Sequence, residues 1–220
     1  MPDLKNYLYY KDDWSIIYCA DCRDVLPLLE PVDSIITDPV WPNATAILTG
    51  MEDPFGLLRG ALSHISIINK PKRIAIHLGR DTDPRFLAAV PDMPFFAACW
   101  LDCAHPHYKG RLLAGADIAY LFGEPPQARP GFHLIPGMYR DHSSNGKQAD
   151  HPCPRKISHV RWLIDKWSQP DDVVLDPFCG SGTTLEAAKS RGRRAIGIEI
   201  EEKYCEIAAK RLAQEVLEFT

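Results

Sequence analysis

The strongest indication of the fold is the sequence Val173-Val174-Leu175-Asp176-Pro177-Phe178-Cys179-Gly180-Ser181-Gly182-Thr183-Thr184. An apolar run that stops at Asp176-Pro177 predicts a strand, and the helical pattern that begins after Thr184 predicts a helix. The two glycines between them permit a sharp turn and let a ligand approach the backbone closely. The free N–H groups of the first helical turn would face that ligand. The stretch therefore predicts a ligand-binding loop, with a plain strand-to-helix turn as the alternative.

A second strand is predicted after this loop, from Ala195 to Ile200, and it carries Glu199 near its end. An acid about 20 residues beyond such glycines reaches ribose hydroxyls in doubly wound nucleotide sites. The loop has no third glycine at the helix packing position and no Gly-Lys-Ser/Thr for phosphate. A pyrophosphate ligand is therefore disfavoured.

The loop resembles the cofactor loop of S-adenosylmethionine-dependent methyltransferases, above all the amino-methylating DNA enzymes, whose signature is Asp-Pro-Phe-x-Gly-Ser-Gly-Thr-Thr. The resemblance implies S-adenosylmethionine as the cofactor. It also implies a set of cofactor-binding residues in this loop, namely Asp176, Pro177, Phe178, Gly180, Ser181, Gly182 and Thr183.

Composition is that of an ordinary globular protein: 220 residues, 45% hydrophobic and 25% charged. No apolar run is long enough to cross a membrane, and the 7 cysteines are an odd number without a disulfide framework, so we expect a cytoplasmic protein. The net charge of −4 counts against strong non-specific binding of nucleic acid. Residues 140–166 are nevertheless net positive, which fits either a DNA-facing or a solvated segment.

Strands and helices alternate along the chain, which predicts a mostly parallel sheet covered on both faces. We expect a three-layer α/β fold of the Rossmann-like methyltransferase type, with one antiparallel edge strand, as a single domain over residues 1–220. Residues 124–154 show no helical or strand period, so we interpret them as a loop-rich target-recognition segment. The expected strands are 15–20, 32–37, 73–79, 95–101, 117–122, 173–176 and 195–200; the expected helices are 54–66, 83–90, 156–167 and 201–219, together with one after Thr184.

The second informative stretch is Asp38-Pro39-Val40-Trp41, which follows a predicted buried strand. In an open α/β sheet, ligands sit beyond the carboxyl ends of the strands, so Asp38 and Asp176 can line one cleft. The structural alternative is an Asp-Pro turn with a core tryptophan. The resemblance favours a catalytic motif, because amino-methyltransferases carry Asp/Asn/Ser-Pro-Pro-Tyr/Phe/Trp here. This chain departs from that motif at Val40, which leaves the turn less rigid.

The resemblance implies a role for each residue of this motif. The Asp38 carboxylate and the Pro39 carbonyl would accept the two hydrogens of an exocyclic amine. Trp41 would stack on a base that has left the duplex. The catalytic stretch precedes the cofactor loop, as in the beta class of DNA amino-methyltransferases. Asp21 of this chain corresponds to the acid that contacts the cofactor adenine in that class, and Glu199 corresponds to the acid that binds the ribose.

The segment His151-Pro152-Cys153-Pro154-Arg155-Lys156 resembles the His-Pro-x-x-Lys element of the same class, with Arg155 in the lysine position. We predict DNA contacts from Asn43, Arg140, Lys147, Arg155 and Lys156. Cys99, Cys103, His105 and His107 lie close together, and Cys19 and Cys22 form a CxxC. Neither group has a partner pair at zinc-finger spacing, so no metal is expected.

These observations predict a DNA amino-methyltransferase that acts on double-stranded DNA as a homodimer. Adenine N6 is favoured over cytosine N4, because similar cytosine enzymes more often begin the catalytic motif with Ser. Two further hypotheses are methylation of RNA or of a protein amide, and a cofactor-binding regulator without catalysis.

Overall fold

The computed structural model describes residues 3–42, 49–64, 71–79, 82–128, 130, 134–141 and 155–214, except for the side chains of 103–107, 109 and 112–114. The described strands are β1 (Leu8–Lys11), β2 (Ser15–Cys19), β3 (Ser34–Thr37), β4 (Arg73–Gly79), β5 (Phe95–Lys109), β6 (Leu112–Gly123), β7 (Met138–Tyr139), β8 (Val173–Asp176) and β9 (Arg194–Glu199). The described α-helices are α1 (Cys22–Val25), α2 (Pro54–His64), α3 (Ile157–Trp167), α4 (Thr183–Lys189) and α5 (Glu202–Ala213). Short 3₁₀ helices span Leu4–Asn6, Leu26–Leu28 and Pro84–Ala89.

The nine described strands form one sheet in the order β1-β2-β9-β8-β3-β4-β6-β5-β7. Strands β2, β9, β8, β3 and β4 pair in parallel, and β1 is an antiparallel strand at the edge. The expected α/β fold with a mostly parallel sheet is therefore confirmed. One detail differs: β6 is a second antiparallel strand, and it lies between β4 and β5 rather than at an edge.

Apolar side chains cover the sheet on both faces and produce three layers. On one face α3, α4 and α5 bury residues such as Trp167, Leu185 and Ala208 against the strands. On the other face α1 and α2 bury residues such as Val25 and Leu58. The Trp167 indole N–H donates to the Ile74 carbonyl at 3.1 Å, so this fully buried ring leaves no polar atom unpaired.

The expected central strands and the helices α2 and α3 are present within a few residues of their predicted bounds. The segment predicted as a short helix at 83–90 is a 3₁₀ helix, Pro84–Ala89. The C-terminal helix, predicted to reach residue 219, is described as Glu202–Ala213, and residues 215–220 lie outside the described part.

The prediction for β5 and β6 was too short. We expected strands at 95–101 and 117–122, but β5 continues to Lys109 and β6 begins at Leu112. Leu101 pairs with Asp117, which in turn pairs with Gly79 at the carboxyl end of β4. Residues 102–116 therefore form a hairpin beyond the carboxyl edge of the parallel strands. Its register shift between Asp102 and His107 breaks the alternation that marks a strand in sequence.

The parallel strands bring the residues that follow them to a single edge of the sheet. Cys19, Thr37, Asp176 and Glu199 end β2, β3, β8 and β9 at this edge. No helix in the described part of the chain is long and apolar enough to span a membrane.

Candidate active site

A cavity of about 290 Å³ opens at the carboxyl edge of the sheet. Both predicted sites line it, although they lie far apart in sequence. Of the residues predicted for catalysis and cofactor binding, the cavity wall contains Asp21, Asp38, Pro39, Trp41, Asp176, Pro177, Phe178, Gly180, Ser181, Thr183 and Glu199. Gly182 supports the wall from behind, against α5.

The glycine loop is held in shape by Glu199. The Gly180 N–H donates to Glu199 Oε2 at 2.9 Å, and the Glu201 N–H donates to Oε1 at 2.8 Å. Gly180 and Gly182 both have positive φ, +49° and +80°, which disfavours a side chain at these positions. Burial raises the pKa of Glu199. Because a carboxylate oxygen has two acceptor directions, Glu199 can hold the loop and still accept from a ligand hydroxyl.

Asp176 lies at the bottom of the cavity and is almost fully buried. Its Oδ1 accepts from the Thr37 hydroxyl at 2.7 Å and from the Phe178 N–H at 3.1 Å. Burial raises the pKa of Asp176 to about 6, the nearby charge of Asp38 adds to the shift, and hydrogen bonds from Thr184, Thr37 and Phe178 oppose it. Asp176 therefore supports the loop from inside the protein.

Asp176 should make the stability of the protein depend on pH. The pKa of an unfolded aspartate is about 3.9, so between about pH 4 and pH 6 the unfolded chain loses a proton that folded Asp176 keeps. The folded state then loses stability as the pH rises through this window. We expect the unfolding free energy of the wild type, minus that of Asp176→Asn, to fall by about 2 kcal/mol from pH 4 to pH 7.

Denaturant unfolding at several pH values measures this difference. The comparison with the variant is needed because His159, whose pKa is lowered to about 4 mainly by burial, contributes the opposite slope. Asp12→Asn is the control. Burial raises the pKa of Asp12, but Lys189 and two backbone N–H groups outweigh it and lower the pKa. The unfolding free energy of the wild type minus that of Asp12→Asn should therefore rise with pH. A flat profile for Asp176→Asn would contradict the prediction.

Asp21 and Thr183 also have partners within the protein. Asp21 caps the N-terminus of α1 by accepting from the Arg23 N–H at 2.9 Å, and it forms an ion pair with the Arg23 guanidinium. The Thr183 hydroxyl accepts from Arg211 of α5 at 2.9 Å. Asp21 and Thr183 therefore line the cavity with polar groups that are held in place by hydrogen bonds within the protein.

Asp38 is held by two side chains that also line the cavity and that contact each other. The Trp41 indole N–H donates to Asp38 Oδ1 at 2.9 Å. Arg155 binds the carboxylate with two nitrogens, Nε to Oδ2 at 2.6 Å and Nη2 to Oδ1 at 3.0 Å. The guanidinium carbon lies 4.0 Å from the centre of the Trp41 ring. Trp41 also packs on Gly79, where a Cβ would come within 2.8 Å of the ring.

A buried polar cluster, which sequence reasoning missed, lies behind this pair. Arg155 Nη1 donates to Asp117 Oδ2 at 2.7 Å, and the same oxygen is 3.2 Å from His77 Nε2. Burial raises the pKa of Asp117, but Arg155 and His77 outweigh it and hold the pKa well below its usual range. His159 contacts the Asp102 carbonyl at 2.9 Å. No local motif marks His77 or Asp117, since the β4–β6 pairing brings them together.

The residues predicted to contact DNA do not lie together as the predicted cofactor-binding residues do. Arg155 and Lys156 are mostly buried and form ion pairs inside the protein, and their contact with DNA stays a prediction. Lys156 Nζ lies 3.4 Å from the Asp141 carbonyl. Arg140 is exposed next to β7. Asn43 and Lys147, together with the His-Pro element at 151–154, lie outside the described residues.

One group of side chains in the described part of the chain has the spacing of a metal site. His77, Asp117 and His159 place possible ligand atoms within 4.8 Å of one another. A metal cation there would lie beside the positively charged Arg155 guanidinium, which already neutralises Asp117. The two positive charges would repel each other. The absence of a metal stays a prediction. Cys19, Cys22 and Cys99 are free thiols, and the side chains of Cys103, His105 and His107 lie outside the described part of the structure.

The comparisons with known proteins agree with this geometry. The family model for N6/N4 methyltransferases, described as DNA methylase, matches residues 18–210. YubD, a candidate methylase of Escherichia coli strain K12, is 29% identical in an alignment 209 residues long that covers 88% of this chain and 88% of YubD. Three further relatives, bacterial type II or orphan methyltransferases, match 33–38% of this chain and 22–31% of their own lengths.

Two solved structures have the same fold. The complex of M1.HpyAVI with S-adenosylmethionine is similar with a TM-score of 0.70 and 23% identity, covering 91% of this chain and 100% of the other. The cytosine-N4-specific PvuII DNA methyltransferase is similar with a TM-score of 0.68 and 13% identity, covering 95% and 90%.

Proposed function

We propose a function from one premise: the chain belongs to the DNA methylase family. It binds S-adenosylmethionine and transfers the methyl group to the exocyclic amine of a base in double-stranded DNA. Adenine N6 is the proposed acceptor, and cytosine N4 is the alternative. The observation that carries the proposal is that Asp38 and Glu199, which lie at the ends of different strands, line the same cavity.

The cofactor half of the cavity fits S-adenosylmethionine. Glu199 has acceptor directions left for the ribose hydroxyls, and Asp21 lines the wall for the adenine amine. The positive φ of Gly180 and Gly182 brings bare backbone close to the ligand. The complex of M1.HpyAVI with the same cofactor has this fold, which also supports the assignment.

The catalytic half offers the acceptors that an amine requires. S-adenosylmethionine supplies an electrophilic methyl group when it is bound. Asp38 would accept one amine hydrogen and stabilise the positive charge that grows on the nitrogen, and the Pro39 carbonyl would accept the other hydrogen. Trp41 would stack on the extruded base. The main contribution of the protein is the alignment of nitrogen, methyl carbon and sulfur.

Asp38 supports adenine over cytosine, because similar cytosine enzymes more often have Ser at this position. The similarity of the fold to the cytosine-N4-specific PvuII enzyme supports the alternative equally at the level of fold. The test is transfer of labelled methyl from S-adenosylmethionine to unmethylated duplex DNA of mixed sequence, followed by digestion and mass identification of the nucleoside. We expect N6-methyldeoxyadenosine. N4-methyldeoxycytidine would reassign the base, and bound cofactor without any incorporation would contradict a DNA substrate.

The hairpin at 102–116 lies on the proposed DNA side of the molecule. Residues 112–116 of β6 extend about 17 Å past the carboxyl end of β4, at about 3.3 Å per residue, on the edge where the cavity opens. Tyr108 is 78% exposed near the tip of the hairpin, and Arg111 is exposed in its turn. Arg140 follows β7, which pairs with β5 at the same edge. These residues form a candidate DNA contact in an otherwise acidic chain.

Replacing both arginines by alanine, Arg111→Ala with Arg140→Ala, should weaken DNA binding. Each arginine that neutralises a phosphate releases about one counterion, so the slope of log K against log salt should fall by about 2. Fluorescence anisotropy with labelled duplex at several salt concentrations measures both quantities. Arg194→Ala, an exposed arginine at the amino-terminal start of β9, is the control. An unchanged slope in the double variant would remove this hairpin from the DNA interface.

A homodimer remains part of the proposal. Sedimentation of the protein with cofactor and DNA reports the number of chains in the complex.

A further inference from the structure

Arg155 makes the same kinds of contact that the proposed function assigns to the target base. Its guanidinium is planar, donates two hydrogen bonds to Asp38 and lies over the Trp41 ring. A target base would also be planar, donate from its amine to Asp38 and stack on Trp41. The guanidinium and the base therefore compete for one place in the cavity.

The acceptor positions of Asp38 support this competition. A carboxylate offers about four acceptor directions. Arg155 uses one on each oxygen, and the Trp41 indole N–H uses a second on Oδ1. Gly79 packs against the Trp41 ring from the β4 side, so the ring has little room to turn away from Arg155. A base could reach both Asp38 and the ring only after the guanidinium has moved.

Arg155 has a second anchor that remains available when it leaves Asp38. Its Nη1 donates to Asp117 Oδ2 at 2.7 Å, and Asp117 is held by His77 at 3.2 Å. The pKa of Asp117 is well below its usual range, so its charge persists across the physiological pH range. Asp117 can therefore keep Arg155 paired inside the protein in a second position.

We propose that Arg155 occupies the target-base site in the free protein and is released from Asp38 onto Asp117 when a base enters. The inference rests on the proposed function, since it needs Asp38 and Trp41 to hold a base. Arg155 then determines access to the site. A base can bind only after Arg155 has left Asp38, so the free energy of breaking that contact is subtracted from the affinity for the base. A weaker contact between residue 155 and Asp38 would therefore strengthen base binding.

The sharpest variant is Arg155→Lys. Lysine keeps a positive charge between Asp38 and Asp117, but its ammonium group is compact. It can form neither a bidentate hydrogen bond to Asp38 nor a stacking contact with Trp41. We expect kcat/KM for duplex DNA to rise about tenfold, the effect of about one lost charge-assisted hydrogen bond, while the Kd for cofactor stays unchanged. Arg73→Lys is the matched control, because Arg73 forms a buried pair with Asp172 away from the cavity.

Asp117→Asn should act in the opposite direction. It removes the charge that receives Arg155, so Arg155 remains on Asp38 and kcat/KM for DNA should fall. In the Arg155→Lys background the same substitution should have a much smaller effect, because the two residues act through one contact. A purely structural contribution of Arg155 predicts the reverse, a loss of activity in Arg155→Lys.

A binding measurement separates this inference from the proposed function. The Trp41 indole N–H resonance, assigned with Trp41→Phe, can follow titration with deoxyadenosine and with deoxycytidine while S-adenosylhomocysteine is bound. We expect a lower Kd for one nucleoside in Arg155→Lys than in the wild type. If neither protein methylates DNA but the variant still binds nucleoside more tightly, methyl transfer to DNA fails as the function, while Arg155 still controls access to the base site. If the wild type methylates DNA and the variant gains neither rate nor affinity, the inference is overturned.

Discussion

Asp38→Asn is expected to lower methyl transfer to DNA by at least about a hundredfold, the usual cost of losing one group that stabilises transition-state charge. The asparagine has the same shape, but it has lost the negative charge, and its NH₂ group can face the base amine as a second donor. Cofactor binding should stay within about twofold of the wild type, because the cofactor half of the cavity is formed by Glu199 and the glycine loop. Single-turnover incorporation of labelled methyl and equilibrium dialysis of the cofactor measure the two effects.

Asp165→Asn is the matched control for this substitution. Asp165 is also an ion-paired carboxylate, 3.2 Å from Arg191, and its exposure of 20% is close to the 27% of Asp38. It lies on α3 and does not line the cavity. Turnover by Asp38→Asn within about threefold of the wild type would show that this carboxylate does not take part in the reaction.

Gly182→Ala is expected to lower both stability and cofactor affinity. Gly182 has a φ of +80°, which costs an L-residue about 1–2 kcal/mol. An added Cβ would also come within 2.8 Å of Ala208 Cβ on α5. Because the Gly182 N–H and carbonyl connect the loop to Cys179 and to the first turn of α4, a shift of this residue moves the whole loop. We expect a loss of about 2–4 kcal/mol in unfolding free energy and at least about tenfold weaker cofactor binding.

Two variants separate the steric part of this effect from the backbone part. Gly192 also has positive φ, +68°, but nothing lies within 4 Å of its added Cβ. Gly192→Ala should therefore cost only about 1 kcal/mol and leave cofactor binding unchanged. Ala208→Gly should relieve the contact and restore part of the affinity of Gly182→Ala. Equal losses of stability in Gly182→Ala and Gly192→Ala would show that the contact with α5 does not matter.

The arrangement of Arg155 shows what a local motif leaves open. The sequence places this arginine where similar enzymes have a lysine, which suggested a contact with DNA. In the structure it binds Asp38, which lies 117 positions earlier in the chain. No local sequence pattern predicts such a contact, because the contact depends on how α3 packs against β3 at the edge of the sheet. Asp117 and His77 were missed for the same reason.

The long hairpin gives a second example of this limit. Residues 103–116 have neither an unbroken alternation nor an apolar run, so each strand was expected to stop near the carboxyl edge of β4. The two strands extend because they pair with each other, Tyr108 with Leu113 and Lys109 with Leu112. Backbone pairing between neighbouring strands requires no hydrophobic pattern, so the sequence does not reveal it.

Local patterns in the sequence were enough to identify the fold class and the S-adenosylmethionine loop, and they predict the role of the Asp38 stretch. Buried parallel strands need near-continuous apolar runs, and the glycine loop needs residues that tolerate positive φ, so both are encoded locally. The sequence indicated that Asp38 and Asp176 could line one cleft, but the contacts of Arg155 with Asp38 and with Asp117 depend on the tertiary structure. Strand order and the packing of α3 bring together residues that are far apart in the chain, and these long-range contacts are set by the burial of the whole sheet.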